Sequence, residues 1–178
     1  MAGKPYMVTP GNHESECHSI VCVIEFDKGQ ALRNFTAFNS RWRMPSAESG
    51  GVLNMWYSFD YAGAHFISLN SETDWDGAEE EGTGDSHWSF LKSGHFNRRP
   101  NEYLDWVESD LADAWARKRA GEINWIIAGS HRPFESLAPK NNGTKMFDIF
   151  AKYEVDMYFC GHKHTYARQN QLYPKRNL

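Results

Sequence analysis

Val155-Asp156-Met157-Tyr158-Phe159-Cys160-Gly161-His162-Lys163-His164-Thr165-Tyr166-Ala167-Arg168 reads as a short apolar run followed by a glycine turn carrying two histidines. The run over residues 155–159 has the length and composition of a buried strand. On extended backbone His162 and His164 point their imidazoles to one side, where a pair of metals, or a metal and a phosphate, can sit against both. A lone His-x-His is a weak signal, and for this tripeptide by itself two unrelated surface histidines are the simpler reading. Two further segments change the weighting: Gly11-Asn12-His13-Glu14 and Gly129-Ser130-His131-Arg132-Pro133, each directly after an apolar run. Three strand-end loops, each with a histidine, indicate one site.

Working outward from these loops, residues 4–9 read as a strand that Pro10-Gly11-Asn12 breaks, which places Asn12 and His13 in a tight turn where α/β folds put their chemistry. Taken singly, Asn12 is a turn former and His13 a loop histidine. A short helix is expected over residues 31–39, and His18 in the segment before it reads as loop. Residues 55–61 alternate aromatic with polar side chains, and residues 64–69 follow after Ala62-Gly63, so the two form a hairpin. Residues 70–99 are long and acidic, with Glu72, Asp74, Asp76, Glu79, Glu80, Glu81 and Asp85. Such a charge run is expected to be solvated, and it carries no catalytic pattern, although its length allows a rim beside the site. His87 and His95 receive no role.

Residues 102–119 place Tyr103, Trp106, Val107, Leu111 and Trp115 at helical spacing, with Asn101 as N-cap and Gly121 just past the end. Those aromatics read as packing. Residues 123–128 form a strand that delivers His131, residues 142–152 a short helix, and residues 155–159 the strand that presents the last loop. The order strand, helix, strand, helix, strand gives an α/β sandwich.

The 178 residues fit one domain, and with 40% apolar and 15% aromatic residues they can build a sizeable core. A net charge of −4 argues against a general nucleic-acid or anionic-membrane surface, so any phosphate selectivity is local. No apolar run approaches the roughly 18 residues of a membrane span, and the opening residues lack the apolar core of a signal peptide. Cys17 and Cys22 flank a short polar loop in which a disulfide can close a small ring. Asn34-Phe35-Thr36 and Asn142-Gly143-Thr144 satisfy the N-glycosylation pattern. Together these features favour a secreted or endomembrane glycoprotein as the parent. Cys160, ending an apolar strand, is expected to be a small buried core residue.

The three motifs, in this order, resemble the purple acid phosphatase branch of the calcineurin-like metallophosphoesterases. Its series closes with Gly-Asn-His-Asp/Glu, then a strand ending in a ligand histidine, then Gly-His-x-His followed by Tyr-x-Arg. The stretches Arg41-Trp42-Arg43-Met44-Pro45 and Trp56-Tyr57-Ser58-Phe59 also look like that branch, so the resemblance covers nearly all of the chain. It implies an α/β/β/α sandwich of which these residues are the incomplete carboxyl-terminal portion. The family's earlier motifs, with a first Asp, a bridging Asp and a Tyr, lie upstream of Gly-Asn-His-Glu, and Gly84-Asp85 does not replace them, having no apolar strand before it.

Carried over by motif, the resemblance implies that Asn12, His131 and His162 bind the second ion of a dinuclear centre and that His164 binds the first. His13 would face the phosphate and stabilise or protonate the leaving group, with Glu14 orienting it. Ser130, where a Gly usually precedes the ligand histidine, and Ala167, where Glu is frequent, are departures that remove no ligand. The parent centre is expected to pair iron with zinc, manganese or iron, and this chain to hold at most one divalent metal.

The resulting expectation is a metal-dependent acid phosphatase that hydrolyses a small phosphate ester in the parent protein, with the isolated chain inactive and the missing amino-terminal segment of the same domain as its partner. Neither nucleic acid nor a membrane is expected as a partner. One alternative is a non-enzymatic remnant that binds a single metal and serves as an interaction domain. Another is a related phosphodiesterase of the same superfamily.

Overall fold

The computed structural model describes residues 5–15, 24–25, 27, 34–75, 78, 96–133 and 144–169. Cys17, His18, Cys22, Asp76, Glu79, Glu80, Glu81, Gly84, Asp85, His87, His95 and Asn142 lie outside them, and with them the expected disulfide and one sequon.

Alternating aromatic and polar residues give β1 (Tyr57–Tyr61) and β2 (Ala64–Ser68), paired antiparallel with Tyr61 opposite Ala64. Ala62 at φ 50 and Gly63 at φ 77 make the two-residue link, both left-handed as the twist of a tight hairpin requires. β2 pairs in parallel with β3 (Trp125–Gly129), and β3 in parallel with β4 (Met157–Phe159), so the sheet runs in the order β1-β2-β3-β4.

Among the short helices that precede the hairpin or lead into it are α1 (Asn12–Ser15), α2 (Thr36–Arg41) and α3 (Ser46–Ser49). The expected helix over residues 31–39 thus appears later in the chain, within its described part. The long helix α4 (Glu102–Arg119) joins β2 to β3, and α5 (Thr144–Lys152) lies between β3 and β4.

α4 buries one stripe, Tyr103, Val107, Leu111 and Ala114, at the helical repeat. Asn101 is not its side-chain cap, because it stands at φ 61; Asn97 Oδ1 accepts the Tyr103 N–H at 2.9 Å instead. Gly121, at φ 78, ends the helix as expected.

Register separates the two faces of the sheet. Ser58, His65, Ile67, Ile126, Ala128 and Tyr158 share the side covered by α4 and α5, where Ser58 and His65 bond to Asp110 of α4 and Tyr158 packs on Phe150 of α5. Phe59, Phe66, Trp125, Ile127, Met157 and Phe159 share the other side, with Phe59 and Phe66 stacked at 5.1 Å.

Several expectations need correction. Among the described residues β4 is an edge strand, paired with β3 alone and with its apolar face uncovered, so Met157 and Phe159 are exposed by 45% and 59%. Cys160 is exposed for the same reason. Residues 5–10 form no ladder; they are held by side chains, with Tyr57 Oη donating to Val8 O at 2.7 Å and Thr9 Oγ1 to Leu69 O at 3.0 Å. Glu72 and Asp74 are 2% and 4% exposed rather than solvated, since Glu72 pairs with Arg132 and Asp74 accepts the backbone N–H groups of Phe96 and Asn97.

Candidate metal centre

The carboxyl ends of the three parallel strands lie side by side, so the loops that follow them meet at one edge. After β2 comes Asn70-Ser71-Glu72, after β3 Ser130-His131-Arg132, and after β4 Gly161-His162. The loop after residues 5–10 joins them, since Thr9 is tied to Leu69.

Each loop is fixed locally. The Gly11 N–H donates to Glu14 Oε2 at 3.0 Å, and Glu14 N to Gly11 O at 3.1 Å, which winds Asn12 into the single turn of α1. Glu14 therefore braces that turn. Gly11 is needed for the approach, because a Cβ there would stand 3.0 Å from Cγ and Nδ1 of His131. The Ser130 N–H donates to Phe159 O and the Gly161 N–H to His131 O, which stitches the second loop to the third. The Ser130 hydroxyl donates to Arg132 O at 2.9 Å, giving this departure from the family pattern a structural role inside the turn. His162 stands at φ 66, a left-handed conformation that costs a non-glycine residue about 1–2 kcal/mol. Such strain accompanies a side chain that must be aimed.

Three donor atoms converge. His131 Nε2 lies 2.8 Å from Asn12 Oδ1 and 3.1 Å from His162 Nδ1, with the two rings nearly perpendicular at 79°. One amide oxygen and two imidazole nitrogens, held this closely by three different loops, fit a borderline divalent cation better than a hard ferric one. Asn12 is buried, whereas His131 and His162 are half-buried. His13 is exposed on α1 and His164 is exposed two residues past His162, so neither joins the convergent trio. Among the described residues no cluster of three His, Cys, Asp or Glu side chains is arranged to hold a metal, so no carboxylate completes the trio.

A buried ion pair stands behind the site. Arg132 Nε donates to both oxygens of Glu72 at 3.1 and 3.0 Å, and Arg132 Nη1 lies 3.2 Å from His162 Nε2. Sequence reasoning passed over both residues. The usable signal was position: Glu72 follows an apolar strand as directly as His131 and His162 do.

Residues 1–166 match the model of the calcineurin-like phosphoesterase family. The chain is 37% identical to an acid phosphatase of Aspergillus ficuum, with 96% of this chain and 34% of that protein aligned. It is 32% identical to the probable purple acid phosphatase 20 of Arabidopsis thaliana, again over 96% of this chain and 34% of the relative. Acid phosphatase A of Cryphonectria parasitica is 29% identical over 93% of this chain and 36% of its own length. The chain thus spans about a third of the length of these curated relatives. Among the described residues no helix is long and apolar enough to cross a membrane. With the family model matched over all but the last twelve of its 178 residues, the chain belongs to the calcineurin-like phosphoesterase family.

Proposed function

We propose that the protein is a metal-dependent acid phosphatase acting on small phosphate monoesters, and that these residues contribute its asparagine and histidine cation site. The convergence of Asn12 Oδ1, His131 Nε2 and His162 Nδ1 within 2.8 and 3.1 Å carries this reading. A divalent cation held there would supply Lewis acidity to the phosphoryl oxygens and to the attacking water. In this reading His13, next to Asn12 in the chain, protonates the leaving oxygen, and His164 holds a second ion that carboxylates would bridge; both side chains are exposed. Iron paired with zinc, manganese or iron is the expected set for such a centre. The trio has no carboxylate among the described residues, and it is part of this proposal that the 178 residues by themselves hold one divalent ion at most and turn over phosphate esters weakly or not at all. A secreted or lumenal protein is the companion proposal; the exposed Asn34 of its sequon supports it.

Hydrolysis of p-nitrophenyl phosphate at about pH 5, assayed with added metal and with chelator, tests the reading. Metal-dependent turnover by the parent protein, lost in Asn12→Ala and His162→Ala, is expected. Turnover untouched by either substitution sinks it.

A further inference from the structure

Glu72 and Arg132 are 2% and 6% exposed, and they lie directly behind His162. The Glu72 carboxylate is placed by a chain of bonds that begins in the core. Tyr103 of α4 donates its hydroxyl to Asn70 O and accepts the Asn70 N–H, both at 2.9 Å. Asn70 Oδ1 accepts the Glu72 N–H at 2.9 Å. Ser71 Oγ then donates to Glu72 Oε1 and accepts the Arg132 N–H, each at 3.0 Å. The loops after β2 and β3 are thereby locked together, and the guanidinium is held with its Nη1 against His162 Nε2.

We infer that Glu72 is the charge-compensating residue of the cation site: it fixes the Arg132 guanidinium and cancels its charge, so that a divalent cation can bind one imidazole ring away. This rests on Asn12, His131 and His162 being the cation's donors. A guanidinium is always charged, and with Arg132 buried its repulsion of a dication at His162 is only partly screened. The carboxylate, bonded at 3.0 and 3.1 Å, converts that point charge into a neutral pair. A second reason concerns the ring. A guanidinium has donors only, so His162 Nε2 accepts here, whereas a cation taken by Nδ1 needs that nitrogen's lone pair and moves the ring proton to Nε2. Arg132 then loses its histidine acceptor, while its two bonds to Glu72 persist and help to keep it in place.

Cobalt(II) titrations of the full 178-residue chain, followed by visible absorption, with unfolding curves for each variant, test the inference. Glu72→Gln should weaken cobalt binding by about ten- to a hundredfold. Arg132→Gln should bind at least as tightly as the wild type, and the double variant Glu72→Gln/Arg132→Gln should recover most of what the first change loses. A purely structural role predicts that all three bind more weakly. Wild-type affinity in Glu72→Gln, or a double variant no better than Glu72→Gln, overturns the inference. Should Glu72→Gln not fold, weaker binding by a folded Arg132→Gln overturns it alone. A wild-type chain that binds no cobalt removes the cation-site reading itself, which is a distinct failure.

Discussion

Nε2 of His65 on β2 lies 2.8 Å from Oδ2 of Asp110 on α4. The other ring nitrogen lies 2.8 Å from Asp60 Oδ1 on β1, so one buried imidazole ties both hairpin strands to the helix that covers them. Asp110 Oδ1 also accepts the Ser58 hydroxyl, and Asp60 pairs with Arg117, which in turn faces Asp113 and Glu122.

This clamp predicts a pH dependence of stability. Burial pulls the His65 pKa down, but hydrogen bonds and charge from Asp110, then from Asp60, outweigh it and hold the pKa above its ordinary value. Burial likewise raises Asp60, and the hydrogen bonds from Arg117 and His65 outweigh it and leave that carboxyl below the usual range. A raised histidine stabilises the fold fully below its unfolded pKa, about 6.5, and the contribution disappears as pH climbs through the folded value. The Asp60 contribution has the opposite sign and fades only in acid. Urea unfolding should therefore show stability falling on the alkaline side. His65→Ala should cost on the order of 3 kcal/mol in mild acid and flatten that slope. An equal slope in wild type and variant would refute the assignment.

Ala62 gives a gain-of-stability test. It stands at φ 50 in a turn whose neighbour Gly63 is also left-handed, and alanine is poorly suited to that conformation. Ala62→Asn should raise stability by about 0.5–1 kcal/mol without touching the metal site. An unchanged or lower unfolding midpoint would mean that the hairpin turn differs from the one described.

What the sequence could and could not show follows from the range of the forces involved. The β1-β2 hairpin and α4 were legible because their determinants are local: alternation, the Ala62-Gly63 link, and the stripe Tyr103, Val107, Leu111. The convergence of Asn12, His131 and His162 was suggested by three strand-end motifs, and the structure brings those three side chains together while leaving His13 and His164 exposed. Position after a strand marks Glu72 and Arg132 singly, but their pairing was not legible, since nothing local marks a partner 60 residues away. Cys160 and β4 were misread as buried because an apolar run looks the same whether its strand is central or at an edge. Asn97 replaces Asn101 as the cap of α4: Asn101 enters the helix at φ 61 with no side-chain cap bond, while Asn97 Oδ1 accepts the Tyr103 N–H, a substitution that spacing alone does not reveal.

Gly11→Ala is the most economical way to disturb the site. The new methyl would stand 3.0 Å from His131 Cγ and Nδ1 and from Glu14 Oε2, tighter than side chains tolerate without moving. Since α1 is only one turn long and none of its residues belongs to the hydrophobic core cluster, the strain should be relieved by moving Asn12 away from His131. Cation affinity should fall about tenfold or more, with overall stability changed by less than about 1 kcal/mol. Calorimetric titration beside a thermal melt checks both parts; retained affinity would show that the turn does not pack on His131 as described.

The face of the sheet opposite α4 predicts solution behaviour. Trp125, Met157 and Phe159 are exposed there beside half-buried Phe59, Phe66 and Ile127, which makes one continuous apolar surface. Surfaces of this kind bind hydrophobic dyes and promote association. The chain should enhance anilinonaphthalene-sulfonate fluorescence while folded, and Trp125→Lys with Met157→Lys should reduce both the dye signal and light scattering. A folded chain that takes up no dye would contradict the exposure of that face.

His131→Ala and His164→Ala separate the convergent trio from the exposed histidine of the same motif series. His131 Nε2 is the atom common to both close contacts, 2.8 Å to Asn12 Oδ1 and 3.1 Å to His162 Nδ1, so its removal deletes the centre of the donor set. A site with so few protein donors has little affinity left once one goes, and the loss should exceed about a hundredfold. His164 is exposed, and the backbone between it and His162 turns through Lys163, whose N–H donates to Gly161 O at 2.8 Å. That turn breaks the extended geometry in which residues two apart would face one way, so His164→Ala should leave the binding of a single cation within error. Elemental analysis after dialysis, together with zinc titration of both variants, reads the difference. Two tightly held ions in the wild-type chain, or equal losses in the two variants, would show that His164 shares a centre with His131 and that the loop closes on the metal in a way the exposed His164 does not indicate.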